Sequence, residues 1–226
     1  MSNHNDVLTE KRNILNTLDF NVPMYKLFLK RVFDIFFSLL GLVVLSPLLL
    51  IVAFWIKLST KEKVFYKQVR MGQNLRLFEI YKFQTMVPDA DKMGPLVTIG
   101  EDPRVTKPGK ILRKYKIDEL PQLFNVLKGD MSFVGPRPEV PKYLPYYTNE
   151  QLKLFKIKPG ITDYASIEFR DEEEYLSENQ DKPKFYEEVL LPRKLNYSHS
   201  YVMKVSLWED LRIIFKTLIS VIGGDR

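Results

Sequence analysis

Asp118 and Glu119 form an isolated acidic pair at the foot of a basic run. From Arg104 to Lys116 the chain carries six basic side chains and no acidic one, then the two carboxylates, then Pro121. Arg104, Arg113 and Arg137 all fall within 20 residues of Asp118, and Arg137 is held between Pro136 and Pro138 on backbone with little freedom. Arginine forks match phosphate oxygens bidentately, so three converging guanidinium groups would make a pyrophosphate cradle. A carboxylate pair beside it could hold Mg²⁺, which takes one or two carboxylates plus substrate phosphate oxygens. A plainer reading stands next to this one. Asp118 suits the N-cap of a helix whose first turn holds Glu119 and Pro121, with Glu119 complementing the helix dipole. The residues alone leave both open.

Composition narrows the classes. A chain of 226 residues with 45% hydrophobic and 13% aromatic content can build a core and is not disordered. No cysteine is present, which excludes a disulfide framework or a thiolate metal site and suits a reducing compartment. His4 and His199 are far apart, form no metal-ligand spacing and read as surface residues. The net charge of +6 and pI of 9.2 favour anionic partners: nucleic acid, a phosphate-bearing substrate or an acidic membrane surface. Asp171, Glu172, Glu173 and Glu174 form a solvated acidic cluster outside the basic region.

The elements that would position the pair begin with an uncharged run from Ile35 to Ile56. About 22 residues at 1.5 Å each give roughly 33 Å of helix, enough to cross a hydrocarbon core. The run starts too late and lacks the small-residue site of a secretory signal. Pro47, mid-run, has no N–H and clashes with the carbonyl of Val43, so the helix must kink there. Ser46 and Ser38 could re-satisfy the freed carbonyls in lipid. Lys26, Lys30 and Arg31 precede the run; Lys57, Lys61, Lys63, Lys67 and Arg70 follow it. Positive flanks prefer the cytoplasmic side. A helix that enters, breaks at Ser46-Pro47 and returns satisfies both flanks.

Beyond Lys57, "VFYKQVRM" and "RLFEIYKF" alternate around Gly72-Gln73-Asn74 and predict a β-hairpin. A loop with Pro88, Gly94, Pro95 and "GEDPRVTKPG" follows. "LPQLFNVLKGD" predicts a helix with Leu120, Leu123, Phe124 and Leu127 on one face and Gly129 as its stop. "FVGPRPEVP" holds three prolines in nine residues and excludes a regular element. "EEYLSENQ" and "YEEVLLPRKLNYSHSYV" read as outer helical pieces. "LWEDLRIIFKTLISVI" is amphipathic: Trp208 and Phe215 could lie at a headgroup boundary, or the stretch is a core helix.

"KRVFD" before the apolar run, Ser46-Pro47 within it, "YKFQTM", "DPRVTKPGKILRK", "DELPQLFNVLKGDMSFVGPRP" and "KPGIT" occur together and in order. From Lys30 to Arg170 the chain resembles the bacterial sugar transferase family, the monotopic polyprenyl-phosphate phosphoglycosyl transferases. The resemblance implies an α+β, mainly helical fold. Residues 1–25 would be a tail, 26–60 a re-entrant membrane helix broken at Ser46-Pro47, and 61–226 a cytoplasmic catalytic domain with amphipathic interfacial helices. It implies a nucleotide-sugar donor, a polyprenyl phosphate acceptor, a lipid bilayer at the cytoplasmic membrane and no nucleic acid, with self-association left open. Asp118 would be the nucleophile and Glu119 its Mg²⁺-holding neighbour, with Asp118 also near the metal. Lys82, Arg104, Arg113, Arg137 and Arg170 would bind phosphate. The family commonly has Gly where this chain has Leu75. A bitopic protein with a basic, non-enzymatic anion-binding domain is the alternative; it gives the acidic pair no role.

Overall fold

The computed structural model describes residues 4–60, 63–90, 93–94, 102–170, 172, 176 and 181–222. Lys61, Pro95, Gly100, Glu101, Asp171, Glu173 and Glu174 lie outside them, as does the helix expected over 173–180 apart from Leu176. The N-terminal tail is instead a helix, α1 (His4–Thr17). Leu8 and Leu15 stand seven residues apart, two turns along one face, and enter the main core. Lys11 Nζ donates to the Tyr147 carbonyl at 2.8 Å and Arg12 Nη2 to the Leu75 carbonyl at 3.0 Å. α1 is therefore part of the main folded core. Leu15 is 1% exposed, and Leu15→Ala should cost about 2–4 kcal/mol, read as a lower melting temperature.

α2 (Met24–Val44) and α3 (Ser46–Thr60) meet at a 60° bend. Pro47 takes the second position of α3, where a missing N–H costs that helix nothing. The bond lost is the one Val43 would have received, and Ser46 Oγ donates to that carbonyl at 2.7 Å. Ser38 has another role: its hydroxyl binds the Ile35 carbonyl within α2. No single described helix is long and apolar enough to cross a membrane; the bent pair passes that test only together.

The basic residues before the run are not free flanking charges, as the sequence reading had them. Lys26 donates to the Val205 carbonyl, and Arg31 donates to the carbonyls of Val126 at 2.6 Å and Leu127 at 2.8 Å. Lys30 is buried in an ion pair with Asp210.

The hairpin forms as expected, β1 (Phe65–Met71) against β2 (Leu77–Phe83), with Phe65 opposite Phe83 and Met71 opposite Leu77. Its turn puts Leu75 at φ +56° with the side chain fully buried. A β-carbon is disfavoured there; core burial and the Arg12 bond to its carbonyl hold the conformation. α4 (Lys107–Lys114) opens on Thr106, whose hydroxyl accepts from the Gly109 N–H. A β-carbon on Gly109 would lie 2.1 Å from the Thr85 carbonyl oxygen, so Gly109 lets α4 sit directly on the chain leaving β2.

α5 (Gln122–Lys128) ends at Gly129, φ +94°, as its sequence predicts. Its buried face differs. Gln122, Leu123, Asn125 and Val126 turn inward while Phe124 is exposed, because Asn125 is tied to β2 rather than to solvent. "FVGPRPEVP" is irregular only from Gly135: β3 (Ser132–Val134) pairs in parallel with β4 (Gly160–Thr162). Gly135 and Gly160 meet backbone to backbone, where a β-carbon on Gly160 would fall 2.1 Å from the Gly135 nitrogen.

After α6 (Tyr164–Glu168), a turn of helix over Lys182–Phe185 and a π-turn over Tyr186–Leu190 lead into α7 (Leu191–Val202). This stretch is not an outer piece: Tyr186, Leu191, Leu195 and Tyr201 are core. His199 is half-buried rather than at the surface, its Nε2 enclosed without a hydrogen bond. α8 (Leu207–Ile222) closes the chain, burying Asp210 and Ile213 while Trp208 and Phe215 stand 78% and 65% exposed. Its apolar face points outward. The described fold is mainly helical, with one hairpin and one short parallel pair.

Candidate active site

The helix-cap reading of Asp118 fails on the backbone. Lys116 turns the chain after α4 in a left-handed conformation, φ +56°, and Ile117–Glu119 forms a 3₁₀ turn. α5 starts only at Gln122, with Pro121 as its N-cap and no side-chain cap bond. Asp118 is 7% exposed, and its Oδ1 is buried with no hydrogen-bond partner. An unpaired carboxylate oxygen in that position is costly. Burial pushes the Asp118 carboxyl up, with Lys82, Arg113 and Lys116 pulling it back and Glu119 adding to the rise.

Glu119 is the opposite case. Its Oε1 accepts from Lys82 Nζ at 2.6 Å and from Arg137 Nη2 at 2.9 Å. Burial works against its ionisation, but Arg137 and Lys82 together outweigh burial and hold the carboxyl well below the usual range. Burial likewise lowers Lys82, with Glu119 opposing, whereas the Glu119 charge drives Arg137 up. Adjacent carboxyl groups thus differ sharply: one is bound by two cations, the other holds a bare oxygen.

β2 supplies Lys82, the parallel β3–β4 pair fixes the segment that carries Arg137, and the turn after α4 supplies both carboxylates. Arg113, on the last turn of α4, donates through Nε to Thr85 Oγ1 at 3.0 Å, and its charge acts on Asp118. Two expected phosphate ligands are placed otherwise. Arg104 is buried and forks onto Asp102 while Nη1 binds the Ala90 carbonyl, so it secures its own loop. Arg170 donates to the Ser220 carbonyl on α8, joining α6's end to the last helix.

Sequence reasoning missed the layer behind Arg137. Arg70 Nη1 donates to the Pro138 carbonyl at 3.0 Å and lies 3.8 Å from buried Glu139. Glu139 also accepts from Tyr186 and faces Lys194, which is paired with Glu172. Glu139 follows the Pro-Arg-Pro segment directly, which was the available signal; Arg70, Tyr186 and Lys194 reach it only through tertiary structure.

Among the described residues no group of three or more His, Cys, Asp or Glu side chains could cage a metal. The pair nonetheless fits a hard cation that completes its shell with phosphate and water. Both side chains offer only oxygen, and Asp118 Oδ1 has no protein partner.

Comparison with known proteins places the chain in a family. A family model described as "Bacterial sugar transferase" matches residues 25–224. The chain is 44% identical over 197 residues to "Uncharacterized sugar transferase EpsL" of Bacillus subtilis, covering 87% of this chain and 89% of that one. It is 36% identical over 205 residues to the UDP-N-acetylgalactosamine-undecaprenyl-phosphate N-acetylgalactosaminephosphotransferase of Aeromonas hydrophila, covering 89% of this chain and 45% of that protein. It is 38% identical over 196 residues to the undecaprenyl-phosphate glucose phosphotransferase of Komagataeibacter xylinus, covering 84% and 35%. The chain thus spans less than half the length of the latter two relatives and most of the first. With a match over nearly its whole length and an acidic pair set among cations, the chain belongs to the bacterial sugar transferase family.

Proposed function

We propose that this chain transfers a sugar 1-phosphate from a UDP-sugar to undecaprenyl phosphate, the initiating step of a bacterial surface glycan. The carrying observation is the buried, unpartnered Asp118 oxygen beside a carboxylate already bound by Lys82 and Arg137. A non-enzymatic anion-binding domain has no use for such an oxygen. The relatives' names supply the substrate classes: a UDP-sugar donor and an undecaprenyl-phosphate acceptor in the Aeromonas protein.

In this reading an Asp118 oxygen forms a bond to the sugar-side phosphorus. The bond from that phosphorus to the bridging oxygen breaks, and its electron pair leaves with UMP. An oxygen of undecaprenyl phosphate then attacks the phosphosugar-aspartate, returning the carboxylate and giving undecaprenyl-diphosphate-sugar. No proton need be removed from a carboxylate nucleophile, but it must be ionised and close to an anionic substrate. Lys82, Arg113 and Arg137 provide fixed positive charge in a water-poor site for that approach. Mg²⁺ held by Glu119 and Asp118 would supply further neutralisation of the diphosphate. The test is UMP release by the purified protein given Mg²⁺, undecaprenyl phosphate and UDP-N-acetylgalactosamine, UDP-glucose or UDP-galactose. The expected result is UMP formed one-for-one with lipid product; absence of UMP with every donor would overturn the reading.

The bent helix pair is read as a re-entrant membrane segment, with the catalytic unit on the cytoplasmic face. Both its ends grip one folded unit, which supports this reading. At the start of α2, Lys30 pairs with Asp210, Arg31 binds the end of α5, and Asp34 accepts from Ser132 Oγ and the Phe133 N–H. Toward the end of α3, Val52 and Ile56 pack with Phe83 and Leu112. Phe36, Leu50 and Phe54 are exposed on the bent pair, and the outward apolar face of α8 suits a headgroup boundary. Single cysteines placed at Ser2 and at Arg226 should both be shielded from an impermeant thiol reagent in intact cells. The absence of native cysteine keeps that readout clean. Labelling of the residue 2 cysteine from outside would show a spanning helix.

A further inference from the structure

Asn125 and Gln122 are both buried amides on the inward face of α5, and only one of them is satisfied. Asn125 Oδ1 accepts from the Tyr81 N–H at 3.0 Å, and its Nδ2 donates to the Glu79 carbonyl at 2.7 Å. That pair of bonds pins α5 to β2. Gln122 stands three residues earlier, about 4.5 Å back along the helix, toward the carboxylate pair. Residues three apart share a helix face, and β2's next residue after Tyr81 is Lys82, the partner of Glu119. Gln122 is 2% exposed, and its Nε2 is buried without a hydrogen bond. Four residues before it, Asp118 Oδ1 is buried without one as well. A donor and an acceptor four residues apart are thus both left bare, and they do not bond each other.

Such groups are almost always paired in folded proteins, and an unpaired one calls for an explanation. Tight packing of the α5 face would have tolerated a methionine or leucine at this position; an amide there is a liability unless a ligand uses it. Asp118 is an acceptor and meets phosphorus. Gln122 is a donor and suits an oxygen on that same phosphorus. We propose that Gln122 is a substrate-contacting residue whose side-chain amide donates to a non-bridging oxygen of the sugar-side phosphoryl group as it passes to Asp118. This rests on the transfer reaction proposed above. The neutral donor adds direction where Lys82, Arg113 and Arg137 add charge, and it fixes the phosphoryl group against the nucleophile. The transfer step itself is unchanged: the Asp118–phosphorus bond forms, the bond to the UMP oxygen breaks, and Gln122 keeps its protons.

UDP carries this phosphoryl group and UMP does not, so binding of the two by the full-length protein in detergent with Mg²⁺ isolates the contact without a particular sugar. Gln122→Met removes the donor while keeping length and bulk. Its affinity for UDP should fall about tenfold to a hundredfold, the loss of one hydrogen bond to a charged acceptor, while affinity for UMP stays at the wild-type level. Its melting temperature should equal or exceed that of wild type, because the variant no longer buries an unpaired donor. Gln122→Glu, nearly isosteric but anionic, should lose UDP binding further and keeps the test open if the methionine variant does not fold. Wild-type UDP affinity in both variants would overturn the assignment. So would parallel loss of UDP and UMP binding with a lowered melting temperature, which marks a structural residue. If wild type binds neither nucleotide, the donor reading itself falls and takes this contact with it; if wild type binds UDP and the variants bind it equally, only the contact falls.

Discussion

Asp118→Asn should abolish UMP release while leaving the protein folded. The substitution keeps the shape of the side chain and replaces an ionisable oxygen with an amide that is a far poorer nucleophile. A loss of about 10³-fold or more is expected, equivalent to roughly 4 kcal/mol in the barrier. The direction of the stability change separates catalysis from structure. Asp118 caps no helix and its Oδ1 bonds nothing, so no native hydrogen bond is lost there, and a buried charge is removed. The melting temperature should hold or rise. Mass spectrometry of wild type exposed to UDP-sugar without acceptor should show a phosphosugar adduct on the peptide containing Asp118, absent from D118N. Substantial UMP release by purified D118N would sink the nucleophile assignment.

The parts of this fold that were legible in the sequence are those set by local rules. Alternation predicted β1 and β2, a proline without an N–H predicted the break at Ser46-Pro47, and Gly129 marked the end of α5. What was not legible depends on who meets whom. α1 carries no motif, and Leu8 and Leu15 declare a buried face only once the core that receives them is known. Lys30 and Arg31 looked like flanking charges because sequence shows charge but not the Asp210 carboxylate 180 positions away.

In the site, the motif string singled out the two carboxylates, but their unlike environments come from tertiary partners. Lys82 reaches Glu119 across 37 positions and Arg137 across 18. The placement of Arg104 has a local reason in plain view in the sequence: Asp102, two residues away, takes its fork. The capping expectation for Asp118 failed because one left-handed residue, Lys116, moved the helix start beyond it. Spacing from a proline could not show that.

Glu119→Gln should damage both stability and turnover, because this carboxylate serves two cations at once. Lys82 and Arg137 meet on Glu119 Oε1, and the Glu119 and Lys82 side chains are 13% and 19% exposed. Removing the anion leaves two partly buried cations facing each other across an amide. Breaking a buried pair from one side costs about 3–5 kcal/mol; Arg137, with a side chain 34% exposed, can turn toward water, so the lower end is expected. The pH dependence carries a sign. Glu119's carboxyl is held below its unfolded value, so its stabilisation is complete above the unfolded range near 4.3. It is lost as pH falls through the depressed folded value. Glutamine does not titrate, so the gap in stability between wild type and E119Q should be widest near neutrality and close in acid. Turnover should fall about a hundredfold or more as Arg137 leaves its position, and the Mg²⁺ concentration needed for half-maximal rate should rise. An E119Q protein as stable and as active as wild type, with an unchanged Mg²⁺ requirement, would remove Glu119 from both roles.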